Sequence, residues 1–225
     1  MSTPDASGLP RRGPLHERLA PLASAWREAN GYPLCARIAS PADCATVWLA
    51  DRTHLPRGGY KGRGTAEWLA RAGLAVPTAP NRWCRDAAGA AVLRLGAQDF
   101  LIEDEEHGRC LADLAAAWST ASGARGYPVP RQHALASFVL GGPRAPEVLA
   151  RLCAVDLRPA RFADDAIAQT QVALTTALVT RVAGAAPRYR LHVDTSLALY
   201  LWDRLCEVAA DLGGGVLGAD QLPPA

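Results

Sequence analysis

The sequence has no long hydrophobic stretch, no paired cysteines and almost no net charge. None of its apolar runs approaches the roughly 18 residues that a membrane-spanning helix needs. Its six cysteines are scattered singly, with no Cys-x-x-Cys pair, which favours reduced thiols in the core. A net charge of +2 over 225 residues gives no reason to expect nucleic acid or an anionic membrane surface as a partner.

Signals for nucleotide binding and for export are also missing. Neither Gly-x-Gly-x-x-Gly nor Gly-x-x-x-x-Gly-Lys-Ser/Thr opens a predicted helix, which excludes nucleotide binding through those two motifs. No apolar core follows Arg11 and Arg12, so we do not expect a signal peptide. We therefore expect a cytoplasmic protein that binds neither nucleic acid nor membrane.

One segment of the chain is echoed further along. Residues 51–80 contain a glycine-rich turn followed by a short amphipathic helix, and a similar order returns 80 positions later. The matched residues are Gly62 with Gly142, Glu67 with Glu147, Leu69 with Leu149, Ala70 with Ala150, and Arg71 with Arg151. This period is too long for a solenoid repeat, so the echo predicts an internal duplication of a supersecondary block.

Hydrophobic periodicity predicts a mixture of helices and strands. We predict helices at 14–30, 62–72, 107–121, 144–153 and 196–212. We predict strands at 34–38, 46–49, 90–95, 100–102, 134–140, 168–176, 177–182 and 188–193, and a glycine-rich extended segment at 51–61. Short connections and hairpins favour antiparallel sheets. The predicted fold is therefore α+β, with duplicated strand-helix-strand-strand-helix halves and flanking helices.

Composition divides the chain into five parts. The clearest break is the stretch rich in glycine and proline at 122–131, which we take as a connector. The predicted parts are a disordered tail at 1–13, an N-terminal half at 14–121, this connector, a C-terminal half at 132–212, and a mobile tail at 213–225.

Ordered motifs in both halves resemble the folate-binding aminomethyltransferase family, which includes the T-protein of the glycine cleavage system. Asp51-x-Thr53-His54, with the glycine-rich turn behind it, resembles that family's Asp-x-Ser-His segment. The stretch from Leu140 to Ala145 resembles its Leu-x-Gly-Pro-x-Ala motif. Together with Val155-Asp156-Leu157-x-Pro159 and the segment 191–205, these motifs are most similar to the gamma subunit of heterotetrameric sarcosine oxidase. The resemblance implies the family's folate-binding fold.

Two departures from the family concern folate. Members that use folate carry Gly-Tyr-Thr-Gly-Glu, whose glutamate anchors the pterin, whereas the corresponding stretch here, 188–194, contains no glutamate. They also carry an acidic pair after an Asn-Gly-Gly turn, whereas Asn81 is followed by Arg-Trp-Cys. Losing a charge-assisted pair typically costs about 1.5–3 kcal/mol. The departures imply that productive folate chemistry is weakened.

Seven residues are candidates for function. Those that could line a cofactor site are Asp51, His54, Tyr60, Glu103 and Asp194, although the sequence does not show whether they converge. Trp83 and Trp118 have weak core patterns, and aromatic residues concentrate at interface hot spots, so we predict them at a partner interface. We predict no catalytic residue and no metal site.

The resemblance and the departures leave three hypotheses open. The first is a non-catalytic, gamma-type subunit of a sarcosine oxidase-like complex, with larger flavin-containing subunits as partners and no tightly bound cofactor of its own. The second is a stand-alone transferase that moves a one-carbon unit with tetrahydrofolate. The third is a biosynthetic or small-molecule-binding protein that reuses the fold, because a fold alone does not determine function.

Overall fold

A computed structural model of the chain describes residues 11–120 and 126–224. Most of the predicted disordered tail, 1–10, and part of the predicted connector, 121–125, lie outside these ranges.

Helices and strands alternate along the described residues. The elements up to residue 120 are α1 His16–Leu19, β1 Ala23–Ala29, β2 Tyr32–Ile38, β3 Trp48–Asp51, β4 Arg57–Lys61, α2 Thr65–Arg71, β5 Arg82–Arg85, β6 Ala91–Gly96, β7 Asp99–Glu103 and α3 Cys110–Thr120. Those after residue 126 are β8 Tyr127–Pro130, β9 Leu135–Gly141, α4 Ala145–Leu152, β10 Ile167–Val172, β11 Thr175–Val182, β12 Arg188–Asp194, α5 Ala198–Asp211 and β13 Gly215–Val216.

The chain forms two compact units. Among the described residues, unit 1 contains 11–54, Leu135–Asp164 and 168–224, and unit 2 contains 55–120, 126–134 and Asp165–Ile167. The predicted halves, 14–121 and 132–212, divide the chain differently. The reason is that β3 pairs with β9 across the predicted boundary, so unit 1 takes strands from both halves.

Unit 1 is built on a six-stranded sheet with the strand order β10-β11-β12-β9-β3-β13, and β1 and β2 form a separate hairpin. The pairings of β12 with β11, of β12 with β9, and of β9 with β3 are antiparallel, whereas β13 is parallel to β3. Unit 2 is built on a five-stranded sheet with the order β5-β6-β7-β4-β8, and all four of its pairings are antiparallel. These pairings confirm the predicted α+β class with largely antiparallel sheets.

The predicted helix at 14–30 is wrong for most of its length. Helix α1 has only four residues, and the chain then turns into β1, which pairs with β2. Between the two strands, Asn30 and Gly31 have φ values of 53° and 78°. Asn-Gly is the residue pair that favours the tight turn of a two-residue hairpin, because both central positions need positive φ. The spacing of Leu15, Leu19, Leu22 and Trp26 imitates a helical stripe that would continue from α1 into β1.

Residues 213–224 of the predicted mobile tail make defined contacts within unit 1. Strand β13 extends the six-stranded sheet, and Leu217 is 3% exposed. The side-chain oxygen of Gln221 accepts hydrogen bonds from the backbone N–H groups of Ile38 and Gly218, at 2.8 and 3.0 Å. Sequence analysis did not predict this arrangement, because the glycine-rich stretch 213–218 has no hydrophobic periodicity. Its place in the fold comes from contacts with strands that are distant along the chain.

Two further strands escaped sequence analysis. Strand β5 has four residues, and β8 contains Pro128 and Pro130. Both lie at the edges of the five-stranded sheet, where proline is tolerated because one side of the strand needs no ladder hydrogen bonds.

The echoed segments have the same local geometry. In each, a strand leads through a glycine with left-handed φ into a short helix, and the φ values are 115° at Gly62 and 106° at Gly142. The N–H groups of Thr65 and Ala145 donate to the carbonyls of these glycines, at 3.2 and 3.0 Å. The duplication itself stays a prediction.

Gly141 is the position where the sheet of unit 1 tolerates no side chain. It pairs with Trp48, and an added Cβ would lie 2.2 Å from Cζ2 of that indole, which is 2% exposed. We expect Gly141→Ala to lower the free energy of unfolding by about 1–3 kcal/mol, because overpacking displaces a buried ring. Denaturant titration followed by circular dichroism measures this change.

Gly215→Ala is the matched control. Its added Cβ would meet Ala42 Cβ at 3.6 Å, an ordinary contact. Equal losses for the two variants would contradict the packing of Trp48 on Gly141.

Candidate functional site

The six-stranded sheet of unit 1 has two chemically different faces. On one face, Phe138 and Leu140 of β9 lie opposite Leu191 and Tyr189 of β12. All four side chains are fully buried, and Trp202 of α5 packs edge-on against Phe138 with ring centroids 5.2 Å apart. Helix α5 therefore covers this apolar face.

The opposite face carries a cationic and polar row. Since side chains alternate along a strand, Arg188, Arg190 and His192 of β12 share this face. The register places Gly141, Val139 and Ser137 of β9 opposite them.

Much of this row is buried. Ser137 is 0% exposed, His192 1% and Arg190 8%. Thr180 of β11, which lies opposite Arg190, is also buried. We call Ser137, Thr180, Arg190 and His192 the polar face residues. Burying polar groups costs free energy unless they are hydrogen-bonded, so such a row is unusual in a core that serves packing alone.

Ser137 connects the row to the loop that follows β3. The Ser137 N–H donates to Thr53 Oγ1 at 3.2 Å, and its carbonyl accepts from the Arg52 N–H at 2.8 Å. The Ser137 hydroxyl is buried and has no hydrogen-bond partner within the described residues.

Asp51 is the last residue of β3 and lies opposite Phe138 of β9, and His54 lies in the loop that follows β3. Asp51 Oδ1 accepts the Thr53 N–H at 2.8 Å, which closes a local turn. His54 is 3% exposed, and its carbonyl accepts from the side-chain amide of Asn30 at 3.1 Å. The structure thus brings these two candidates beside β9.

Asp194, the third candidate in unit 1, caps the start of a helix. Its carboxylate accepts hydrogen bonds from the backbone N–H and the hydroxyl of Ser196, at 2.8 and 2.6 Å. These bonds lower the pKa of Asp194 below its ordinary value, because they favour the charged form. Its carboxylate is therefore engaged at the end of β12.

Tyr60 and Trp118 meet in unit 2, in an aromatic cluster that sequence analysis did not predict. Their ring centroids are 5.5 Å apart, and Trp68 lies 4.8 Å from Tyr60 and 4.7 Å from Trp118. Tyr60 and Trp68 are 4% and 5% exposed. Burial raises the pKa of the Tyr60 phenol. Tyr60 and Trp118 therefore pack against each other within unit 2, and the interface role of Trp118 stays a prediction.

Glu103 forms a fully buried ion pair. It lies opposite Arg57 in the pairing of β4 with β7, and Arg57 Nη1 donates to Glu103 Oε2 at 3.1 Å. Both side chains are 0% exposed. The neighbouring Asp104 accepts the N–H groups of Glu105 and Leu111, at 3.0 and 3.2 Å, so it fixes the approach to α3.

Trp83 lies in the edge strand β5. Its backbone N–H donates to the carbonyl of Asp165 at 2.8 Å, and its side chain is partly buried. The indole Nε1 is itself buried, with no hydrogen-bond partner within the described residues. The interface role of Trp83 stays a prediction.

The polar face residues are the part of the candidate site that sequence analysis missed. Polar and apolar residues alternate over 188–193 in the sequence. This alternation does not predict which residues of β9 and β11 lie beside Arg190 and His192. Across residues 11–120 and 126–224, no group of three or more side chains could hold a metal ion, and no helix is long and apolar enough to cross a membrane.

The chain is similar to known proteins in structure but not detectably in sequence. No family model and no curated protein matches it. It is similar to a chain of the heterotetrameric sarcosine oxidase from Corynebacterium sp. U-96, solved in complex with pyrrole 2-carboxylate. That match has a TM-score of 0.69 and 22% identity, over 96% of this chain and 99% of that chain.

The second similar structure is aminomethyltransferase T of the glycine cleavage system from Bartonella henselae. The TM-score is again 0.69, with 18% identity over 93% of this chain, but the match spans 60% of that chain. At these identities the likeness establishes the fold. The chain therefore has the aminomethyltransferase-type fold, which confirms the predicted resemblance.

We expect Glu103→Gln to destabilise the protein by about 3–5 kcal/mol, because it leaves the Arg57 charge buried without its anion. The double variant Arg57→Met/Glu103→Leu should recover most of that loss, because it removes both charges. Denaturant titration of both variants measures these effects. The control Glu207→Gln breaks an exposed pair with Arg204 and should cost no more than about 1 kcal/mol. A loss for Glu103→Gln no larger than the control's would contradict a structural ion pair.

Asp194→Ala should cost about 0.5–2 kcal/mol through the lost helix cap. The folded-state pKa of Asp194 is lowered, so its contribution is complete above the ordinary pKa and disappears as the pH falls through the lowered value. The stability difference from the native chain should therefore be largest near neutral pH and shrink below about pH 4. Asp194→Asn, which keeps an acceptor, should stay close to the native chain. A difference for Asp194→Ala that does not vary with pH would contradict the ionised cap.

Proposed function

We propose that this chain is a non-catalytic, structural subunit of a flavin-dependent, amine-demethylating complex of the sarcosine oxidase type. The observation that carries the proposal is the share of each similar chain that the structural match spans. The match to a chain of the heterotetrameric sarcosine oxidase extends over 99% of that chain, whereas the match to aminomethyltransferase T extends over 60%. A chain of this size and fold corresponds to one whole component of that oxidase and to only part of the transferase.

The chemistry of the polar face supports the same function. In the family that this chain resembles, members that use folate hold the pterin with a glutamate from the segment that corresponds to 188–194. Here the side chains of that segment on the polar face are Arg188, Arg190 and His192. Cations and neutral donors do not match the donor edge of a pterin, which pairs with a carboxylate.

The acidic candidates are occupied by structural contacts. Glu103 pairs with Arg57, Asp194 caps a helix, and Asp51 closes the turn at Thr53. A pterin held by both oxygens of one of these carboxylates would compete with the contact that the carboxylate now makes. We therefore favour the structural role over folate-dependent transfer.

Calorimetry distinguishes the structural subunit from the rival hypothesis, one-carbon transfer with tetrahydrofolate. We expect no heat of binding when tetrahydrofolate is titrated to high micromolar concentration, because the carboxylate that would hold the pterin is missing. A saturable heat at that concentration would instead favour the transferase.

The assembly is tested by co-purification from the native host. A tagged chain should recover larger subunits that carry flavin, visible by their absorbance spectrum. The same tagged chain expressed in a host without the partner genes should purify alone, and this is the matched control. Recovery of the lone chain from the native host would contradict the proposed subunit role.

A further inference from the structure

A cavity of about 290 Å³ opens in unit 1. Its wall is formed by Cys44, Trp48, Gly142, the loop 183–188, Pro223 and Pro224. Among the described residues that line it, Arg188 is the only charged one, and the others are mostly apolar. The volume is close to the lower end of the range for sites that bind small molecules, about 300–1,000 Å³.

The Arg188 guanidinium is held in place by two kinds of contact. It lies over the ring of Trp48, with its carbon 5.3 Å from the ring centroid. Its Nη2 donates to the carbonyls of Pro223 and Pro224, at 2.9 and 3.0 Å. Stacking on a buried indole and two carbonyl acceptors fix both the position and the plane of the group.

Neither the indole nor the two carbonyls supplies Arg188 with a counterion. Within residues 11–120 and 126–224, no carboxylate pairs with it, and its Nε and Nη1 donors have no acceptor. A guanidinium presents five N–H donors in a rigid fork that matches a carboxylate or a phosphate. The cavity wall therefore contains a positioned cation with donors to spare.

The surroundings of Arg188 also favour binding of an anion. Burial, and next the positive charge of Arg190, lower the pKa of Arg188 below its ordinary value. Both effects disfavour the charged form, so an anion that binds beside Arg188 removes part of that penalty.

We propose that this cavity binds a small oxyanion through Arg188, most favourably a carboxylate attached to a flat apolar body. The carboxylate meets the free donors of the guanidinium, and the body contacts the apolar wall formed by Trp48, Pro187 and Pro223. A bare phosphate shares the oxyanion chemistry but gains nothing from that wall. The site lies within unit 1 and does not depend on the proposed assembly.

Arg188 also attaches the C-terminal segment, and that structural role alone requires no ligand. The experiment therefore compares three probes by calorimetry: benzoate, its neutral analogue benzamide, and inorganic phosphate. We expect benzoate to bind with a dissociation constant in the millimolar range or better, benzamide not to bind, and phosphate to bind more weakly than benzoate. Binding by phosphate that equals benzoate would overturn the preference for an apolar body. Absence of binding by both anions at about 10 mM, well above the millimolar range, would overturn the site.

Two variants assign the binding to the cavity. Arg188→Gln keeps donors for the two proline carbonyls but removes the charge, and it should weaken benzoate binding at least about tenfold, because charge-assisted hydrogen bonds are about twice as strong as neutral ones. Ala186→Trp adds bulk to an exposed loop position in the wall and should block binding while Arg188 is intact. The control Arg158→Gln removes an exposed arginine far along the chain and should leave binding unchanged. Unchanged affinity in either of the first two variants would overturn the proposal.

Cys44 provides an independent, site-resolved measurement. It is an exposed thiol in the cavity wall, so bound benzoate should slow its alkylation by iodoacetamide, as followed by peptide mass spectrometry after the folded protein has been labelled. Burial raises the pKa of Cys35 to about 11 and those of Cys110 and Cys206 to about 12, so these thiols stay protonated and react slowly. Alkylation of Cys44 at the same rate with and without saturating benzoate would contradict the location of the site.

Discussion

The antiparallel pairing of β9 with β3 and β12 is the constraint on which the rest of unit 1 depends. Strand β9 lies inside the six-stranded sheet, and its register assigns Phe138 to the face that α5 covers and Ser137 to the opposite face. A slip of one residue would exchange the two faces and bury polar groups under α5. The apolar contacts of Phe138 and Leu140 therefore also determine where Arg190 and His192 lie.

Acidic residues in this protein serve structural contacts. Glu103 neutralises Arg57 in the core of unit 2, and Asp104 accepts backbone N–H groups before α3. Asp194 accepts from Ser196 at the start of a helix. The aminomethyltransferase-type fold of this chain thus presents cations and hydroxyls along the sheet of unit 1, which is why we favour a structural role and expect anions as ligands.

Local patterns predicted some elements well and others badly. The hairpin of β6 and β7, helix α4 and helix α5 follow the predicted ranges closely, because each has a periodic apolar stripe bounded by glycine or proline. The stretch 14–30 was misassigned, because leucines spaced by three and four residues outweighed the Asn30-Gly31 turn signal. Strand β13 gave no signal, since its place in the sheet comes from β3, far away in the sequence.

The candidate site shows the same division. Alternation placed Arg188, Arg190 and His192 on one side of a strand, and the missing glutamate in that segment was visible in the sequence. The contacts of Tyr60, Trp118 and Glu103 could not be predicted from the sequence, because each depends on which neighbour packs beside it. That neighbour is Trp68 for the aromatic rings and Arg57 for the carboxylate.

Local periodicity and ordered motifs were enough to predict the class of fold, the positions of most strands and helices, and the family that the chain resembles. Only the folded chain shows that β3 joins β9, that the candidate carboxylates are engaged, and that Arg188 lies over Trp48 in the wall of a cavity. The physical reason is that strand pairing and ion pairing join residues distant along the chain, and short-range patterns carry no record of their partners.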